Sequence, residues 1–183
     1  MEDTGRLESR RVYTGRVLNL DIDRVRFPDG STGELEMIRH PGASAVVPLL
    51  DSPEVADPRV VLIRQYRYAA NDFVYEVPAG RLDGAEDPAA CATRELEEEA
   101  GYRAGHLERL VTILTTPGFT DERIHLFLAW DLTQGDARRE PDEFISLHEV
   151  SLSRAVEMTR AGEIQDAKTV IALLFAAFYC RDR

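Results

Sequence analysis

Cysteine is scarce in this sequence: only Cys91 and Cys180 occur in 183 residues, and their spacing matches no metal-ligand pattern. That excludes a disulfide-built scaffold and a structural zinc site. The two could pair with each other, but free thiols in a reducing cytoplasm are the simpler reading. Long apolar runs are also missing, so no segment reads as a bilayer span, and the start "MEDTGRLESRR" has no apolar core of the secretory kind. Net positive charge is absent too. Twenty-two basic residues face 33 acidic ones, a formal charge of −11, which argues against a nucleic-acid binder and against docking on anionic lipid. There is no internal repeat and no low-complexity stretch. What is present is ordinary for a soluble globular chain, 44% hydrophobic and 30% charged, with enough length for one domain and a small extension. An acidic protein can still bind phosphate compounds when metal ions cancel the charge locally.

Hydropathy patterning organises the chain. Leu18, Leu20 and Ile22 alternate with polar residues, and the alternation slips near Arg24 before resuming at Val25 and Phe27, which predicts a strand with a bulge. "PDGSTG" is a turn and "ELEM" alternates again, so residues 11–40 read as an antiparallel hairpin or meander. "ASAVVPLL" and "RVVLIRQY" are continuous apolar runs of the buried-strand kind. Further strands are expected near 109–115, 124–132 and 144–150, and helices near 88–100, 153–161 and 167–180.

The helix at 88–100 carries the densest charge. Asp87 suits its N-cap, Pro88 the first helical position, and Gly101 a left-handed C-cap. At about 100° per residue, Ala89, Ala92, Leu96 and Ala100 form one apolar stripe. In "RELEEEAGY", Glu95, Glu98 and Glu99 share the adjoining sector, while Glu97 points away with the solvent face. Converging carboxylates repel one another, and a hard divalent cation such as Mg²⁺ or Mn²⁺ removes the repulsion. Taken alone, an acid-rich turn is more often a solvated helix face than a metal site. Arg94, on the flank, can hold Glu86 or a member of the cluster.

The residues upstream complete a pattern. Gly80 is followed after five residues by Glu86, and after seven more by Arg94-Glu95-Leu96-x-Glu98-Glu99-x-Gly101-Tyr102. This resembles the signature of the Nudix hydrolases at every fixed position, with Tyr102 where an aliphatic residue is usual. The resemblance implies an α/β fold: a mixed sheet in an α/β/α sandwich (residues 44–183) preceded by a small antiparallel β region (residues 1–43). It also implies metal-dependent cleavage of a phosphoanhydride. On this reading Glu95 and Glu99 are metal ligands, Glu98 is a third ligand or positions the water, and the Ala79 carbonyl is a backbone ligand. Gly80 gives the tight turn beside the metal.

Other stretches resemble the ADP-ribose pyrophosphatase group within that family: "RQYRY", "EVPAG", "TTPGFTDE" and "DAKTVIALL". They imply substrate contacts from Arg67, Pro117 and Phe119. The acidic loop "REPDEFISL" matches a loop whose glutamate approaches the metals and serves as general base; Glu143 falls on that position, with Glu140 and Asp142 as neighbouring alternatives. The group's N-terminal strands commonly exchange between the subunits of a homodimer, which would bring Arg39 to a neighbouring active site. The implied activity is hydrolysis of ADP-ribose to AMP and ribose 5-phosphate in the cytoplasm, with Mg²⁺ or Mn²⁺ and no nucleic-acid or membrane partner. The alternatives are a broader nucleoside diphosphate sugar hydrolase and a non-catalytic module that binds a nucleotide sugar.

Overall fold

The computed structural model describes residues 4–139 and 144–183. The chain divides into two compact units, one of residues 1–42 with 114–123, the other of residues 43–113 with 124–183.

The first unit is an antiparallel three-stranded sheet in the order β1-β2-β3, built from β1 (Gly5–Thr14), β2 (Asn19–Arg26) and β3 (Thr32–Arg39). β2 and β3 pair without interruption, so the slip in alternation near Arg24 is not a bulge in β2. The irregularities lie across from it in β1, between Arg6 and Glu8 and again between Arg11 and Tyr13. The burial of β2 also inverts the hydropathy pattern, because Asp21 and Asp23 are its buried side chains. Ion pairs account for the inversion. Arg39 spans both aspartates and reaches Asp121 at 3.2 Å, Arg11 pairs with Asp21, and Ser9 Oγ donates to Asp23 at 2.6 Å. A buried carboxylate is stable only when so compensated. Every residue of β1 is exposed.

The second unit holds two sheets. One has the order β10-β5-β6 and the other β7-β4-β9-β8, from β4 (Ala43–Pro48), β5 (Arg59–Arg67), β6 (Asp72–Glu76), β7 (Ala79–Arg81), β8 (Tyr102–Leu114), β9 (Arg123–Gln134) and β10 (Ile145–Ser151). β4 runs parallel to β9 and antiparallel to β7, which makes the second sheet mixed. The continuous apolar runs split by parity between two layers. Ala45, Val47, Val60, Leu62, Leu126 and Leu128 face a core shared with α2 (Leu152–Arg160) and α3 (Ala167–Arg181). Val46, Val61, Phe127 and Ala129 face the opposite core with Ala92, Leu96, Ala100 and Tyr102. A strand covered on both faces needs apolar side chains at every position, hence the lack of alternation.

The first helix begins as expected: Asp87 accepts from the Ala89 and Ala90 amides, and Pro88 opens α1 (Pro88–Glu95). Its second half departs from the α-helix. Leu96–Ala100 form a π-turn, closed by Gly101 at φ +72°, whose amide reaches the Leu96 and Glu97 carbonyls. The chain passes straight from that left-handed glycine into β8, which therefore starts at Tyr102, earlier than the predicted 109.

Candidate active site

The site is assembled where β7 lies along β4, with Gly80 beside Ser44. Ser44 donates to the Pro88 carbonyl at 2.7 Å, which ties the start of α1 to that strand. Ahead of β7, the Pro78 carbonyl accepts from the Val46 amide at 3.0 Å. The Ala79 amide donates to Glu99 Oε2 at 2.9 Å, so the π-turn grips the loop that precedes it by twenty residues. A methyl group at Gly80 would overlap the Glu95 carboxylate; glycine is required there for space rather than for an unusual φ. Glu95 and Glu99 are both buried.

Arg94 organises the acidic side chains. It donates to both oxygens of Glu86 at 3.0 Å and to the Arg81 carbonyl at 3.1 Å. Its Nη1 lies 2.5 Å from Glu95 and 3.1 Å from Glu98. One cationic nitrogen is thus shared by two carboxylates of the predicted cluster. The Arg94 bond, helped by the Asp83 amide, pulls the Glu86 carboxyl down to about 2. Glu97 goes the other way, as expected, but does not end in open solvent. It faces Arg103 at 3.4 Å and Arg138 at 3.6 Å and is less exposed than Glu98, 25% against 35%.

The carbonyls left over at the end of the π-turn are taken up by residues 135–139. The Arg138 amide donates to the Glu98 carbonyl at 2.9 Å, Arg139 Nε to that of Glu99 at 3.0 Å, and the Gly135 amide to that of Gly101 at 2.7 Å. Helix ends need such partners. Glu140, Asp142 and Glu143, the candidate general bases, lie outside the described residues.

Among the described residues no three His, Cys, Asp or Glu side chains stand arranged as a finished metal cage. The donor set nevertheless suits a hard dication. Carboxylate oxygens are hard donors, and Glu95 and Glu98 already converge on one positive centre. Cys91 does not compete for that role. Burial first, and then the Glu86 charge, push its thiol up to about 11, and its Sγ rests 3.5 Å from the Gly80 and Arg81 carbonyls. A protonated thiol is a poor partner for Mg²⁺.

Of the predicted substrate contacts, Arg67 belongs to this unit. It ends β5, is 44% exposed along its side chain, and grips Glu76 with two bonds of 2.6 and 2.9 Å. The Glu76 bond raises the Arg67 pKa against the opposing effect of burial, and Glu99 adds to the rise. Arg39, Pro117 and Phe119 belong to the first unit. There Arg39 is engaged by its three aspartates, Pro117 lies in an exposed turn, and the Phe119 carbonyl accepts from the Ile38 amide at 2.7 Å.

Sequence reasoning passed over one cluster. Glu76, almost fully buried, holds Lys168 as well as Arg67, and Lys168 also lies 3.0 Å from Asp166. Burial pushes the Glu76 carboxyl up, and the Arg67 and Lys168 contacts more than offset it, leaving the pKa lowered. The signal was present in "EVPAG" and "DAKTV", whose charged residues interrupt otherwise apolar stretches.

The NUDIX domain model matches residues 39–173 of this chain. A methanol dehydrogenase activator of Bacillus methanolicus is 39% identical over 171 residues, 92% of this chain and 90% of that protein. An ADP-ribose pyrophosphatase of Bacillus subtilis is 35% identical over 171 residues, with the same coverage of 92% and 90%. The crystal structure of an ADP compounds hydrolase shares the fold at a TM-score of 0.82 and 20% identity, over 100% of this chain and 96% of its own.

Proposed function

The chain belongs to the Nudix hydrolase family, and we propose that it cleaves the diphosphate of ADP-ribose to AMP and ribose 5-phosphate with Mg²⁺ or Mn²⁺. One observation carries the reading: Glu95 and Glu98 close on a single cationic nitrogen while Glu99 accepts from the Ala79 amide, next to Gly80. The relative named as an ADP-ribose pyrophosphatase supports the substrate. In this reading the Ala79 carbonyl, Glu95, Glu98, Glu99 and Glu143 hold the cation. The bound cation supplies charge neutralisation for the diphosphate and a water of lowered pKa. Arg67 meets the diphosphate from the end of β5, its guanidinium oriented by Glu76. Glu143, or Glu140 beside it, accepts the proton of the attacking water. Pro117 and Phe119 contact the substrate, and Arg39 reaches the active site of the neighbouring subunit.

Purified protein given ADP-ribose, other nucleoside diphosphate sugars, diadenosine polyphosphates and capped RNA is expected to turn over ADP-ribose in Mg²⁺ or Mn²⁺. Excess chelator should abolish turnover without unfolding the protein, because Arg94 keeps the carboxylates compensated when no cation is bound. Equal activity in chelator would sink the metal mechanism. A stronger preference for another nucleotide sugar would move the assignment to the broader hydrolase.

A second reading has one observation in its favour, the relative named as an activator of a dehydrogenase. A non-catalytic module that binds a nucleotide sugar has no need for Glu95 and Glu98 on one cation beside a steric glycine at Gly80. Release of phosphate-containing products separates the two readings.

The protein acts in this proposal as a cytoplasmic homodimer that exchanges its N-terminal strands. β1 is exposed along its length, and Leu7, Val12 and Tyr13 on that strand, with Val17 and Leu18 in the turn after it, leave apolar surface open. Light scattering at micromolar concentration should return twice the chain mass of 20.6 kDa. A fully active monomer would rule the dimer out.

A further inference from the structure

Of the 22 basic residues in the sequence, one alone is a lysine, Lys168. It sits in the first turn of α3, nearly buried, with Nζ against Glu76 and 3.0 Å from Asp166. Its neighbour Thr169 is fully buried. The Thr169 hydroxyl donates to Asp166 Oδ2 at 2.6 Å and accepts from the Val77 amide at 2.9 Å. The start of α3 therefore holds two successive residues, Glu76 at the end of β6 by its side chain and Val77 in the β6–β7 connection by its backbone.

That connection leads directly into the carboxylate site. Pro78 has a fixed φ and its carbonyl is bound to the Val46 amide, the Ala79 amide is bound to Glu99, and Gly80 lies under Glu95. Every residue from 76 to 80 has a defined hold, with no slack segment between the grip and the site. The charges also balance: Glu76 and Asp166 against Arg67 and Lys168. A single cation at this spot reaches both carboxylates, Glu76 and Asp166.

We propose that Lys168, together with Thr169, is a positioning residue for the cation site, holding residues 76–80 in the register that presents the Ala79 carbonyl and leaves room for Glu95. The inference rests on the metal-dependent reading above. It differs from a merely structural role in what it moves: cation affinity and kcat, more than KM.

The test uses full-length purified protein and Mn²⁺ alone. Free Mn²⁺ is followed by electron paramagnetic resonance during titration, with ADP-ribose turnover and thermal melting measured in parallel. Lys168→Met is expected to weaken Mn²⁺ binding about tenfold or more and to lower kcat, with KM changed by no more than about twofold. Lys168→Arg should recover most of the affinity. Thr169→Val, which keeps every charge but removes the acceptor for Val77, should weaken Mn²⁺ binding in the same direction, and Thr169→Ser should not. Arg154→Gln, which breaks only the surface pairs with Glu157 and Glu163, should behave as the parent protein. Wild-type Mn²⁺ affinity in folded Lys168→Met and Thr169→Val would overturn the proposal, as would losses that Arg and Ser do not recover. If Lys168→Met does not fold, the Thr169 pair decides. Parent protein that binds Mn²⁺ but leaves ADP-ribose intact defeats the proposed substrate, and the titration still judges Lys168. Parent protein that binds no Mn²⁺ overturns both.

Discussion

Glu99→Gln is expected to lower ADP-ribose turnover by about a thousandfold, while Glu97→Gln lowers it by less than about threefold. The two residues lie in the same π-turn, two positions apart, with very different surroundings. Glu99 is 2% exposed and accepts the Ala79 amide, so an amide in its place keeps the volume and one hydrogen-bond acceptor. What it loses is the charge on which the proposed cation site depends. A thousandfold corresponds to about 4 kcal/mol of transition-state stabilisation, the scale of one missing ligand. Glu97 contributes only partly exposed pairs with Arg103 and Arg138, and such pairs are worth little. Steady-state kinetics at saturating Mg²⁺ reads both. Glu143→Gln belongs in the same series, since a large loss of kcat at unchanged KM is the mark of a proton acceptor. Equal losses at Glu97 and Glu99 would show that the sorting of the glutamates around the helix has no bearing on turnover.

Gly80→Ala is expected to be nearly silent in folding and severe in activity. The added methyl would overlap the Glu95 carboxylate, which is the far end of a flexible side chain and can swing aside. Gly80 has no positive φ, so alanine meets no backbone strain. The melting temperature should therefore change by only a few degrees, in keeping with a cost of about 1 kcal/mol or less. Turnover should fall about a hundredfold or more, because Glu95 is moved from its place between Gly80 and Arg94. Turnover within about tenfold of the parent would mean that Glu95 can leave without consequence and holds no cation.

Much of this was legible in the sequence, and the reasons are local. Asp87, Pro88 and Gly101 marked both ends of the glutamate helix because capping depends on single residues with distinct backbone chemistry. Ala89, Ala92, Leu96 and Ala100 pack into one core, as the apolar stripe predicted, although Leu96 and Ala100 lie in the π-turn. The two-layer cover of β4 and β5 followed from their unbroken apolar runs. What escaped depends on partners distant in the chain. Nothing in "DIDRV" says that its aspartates turn inward, because the reason is Arg39, eighteen and sixteen residues on. Lys168 is 92 residues from Glu76, and no period links them. The π-turn is invisible for a different reason: its residues are ordinary helix formers, and the carbonyl clasp from residues 135–139 that accompanies it lies in another loop.

That π-turn has a consequence for chain length. A π-turn accommodates one residue more than the α-helix around it, and such turns recur at functional sites. The stretch Leu96–Ala100 thus carries a residue that the helix, as a helix, does not need. A deletion there could be healed by ordinary i→i−4 bonding, and the apolar stripe would still find its core. The glutamates would not be so forgiving, because the shortened turn would rotate Glu98 and Glu99 relative to Glu95 and to the loop they serve. Loss of a single codon in this helix would therefore be tolerated as architecture and rejected as chemistry.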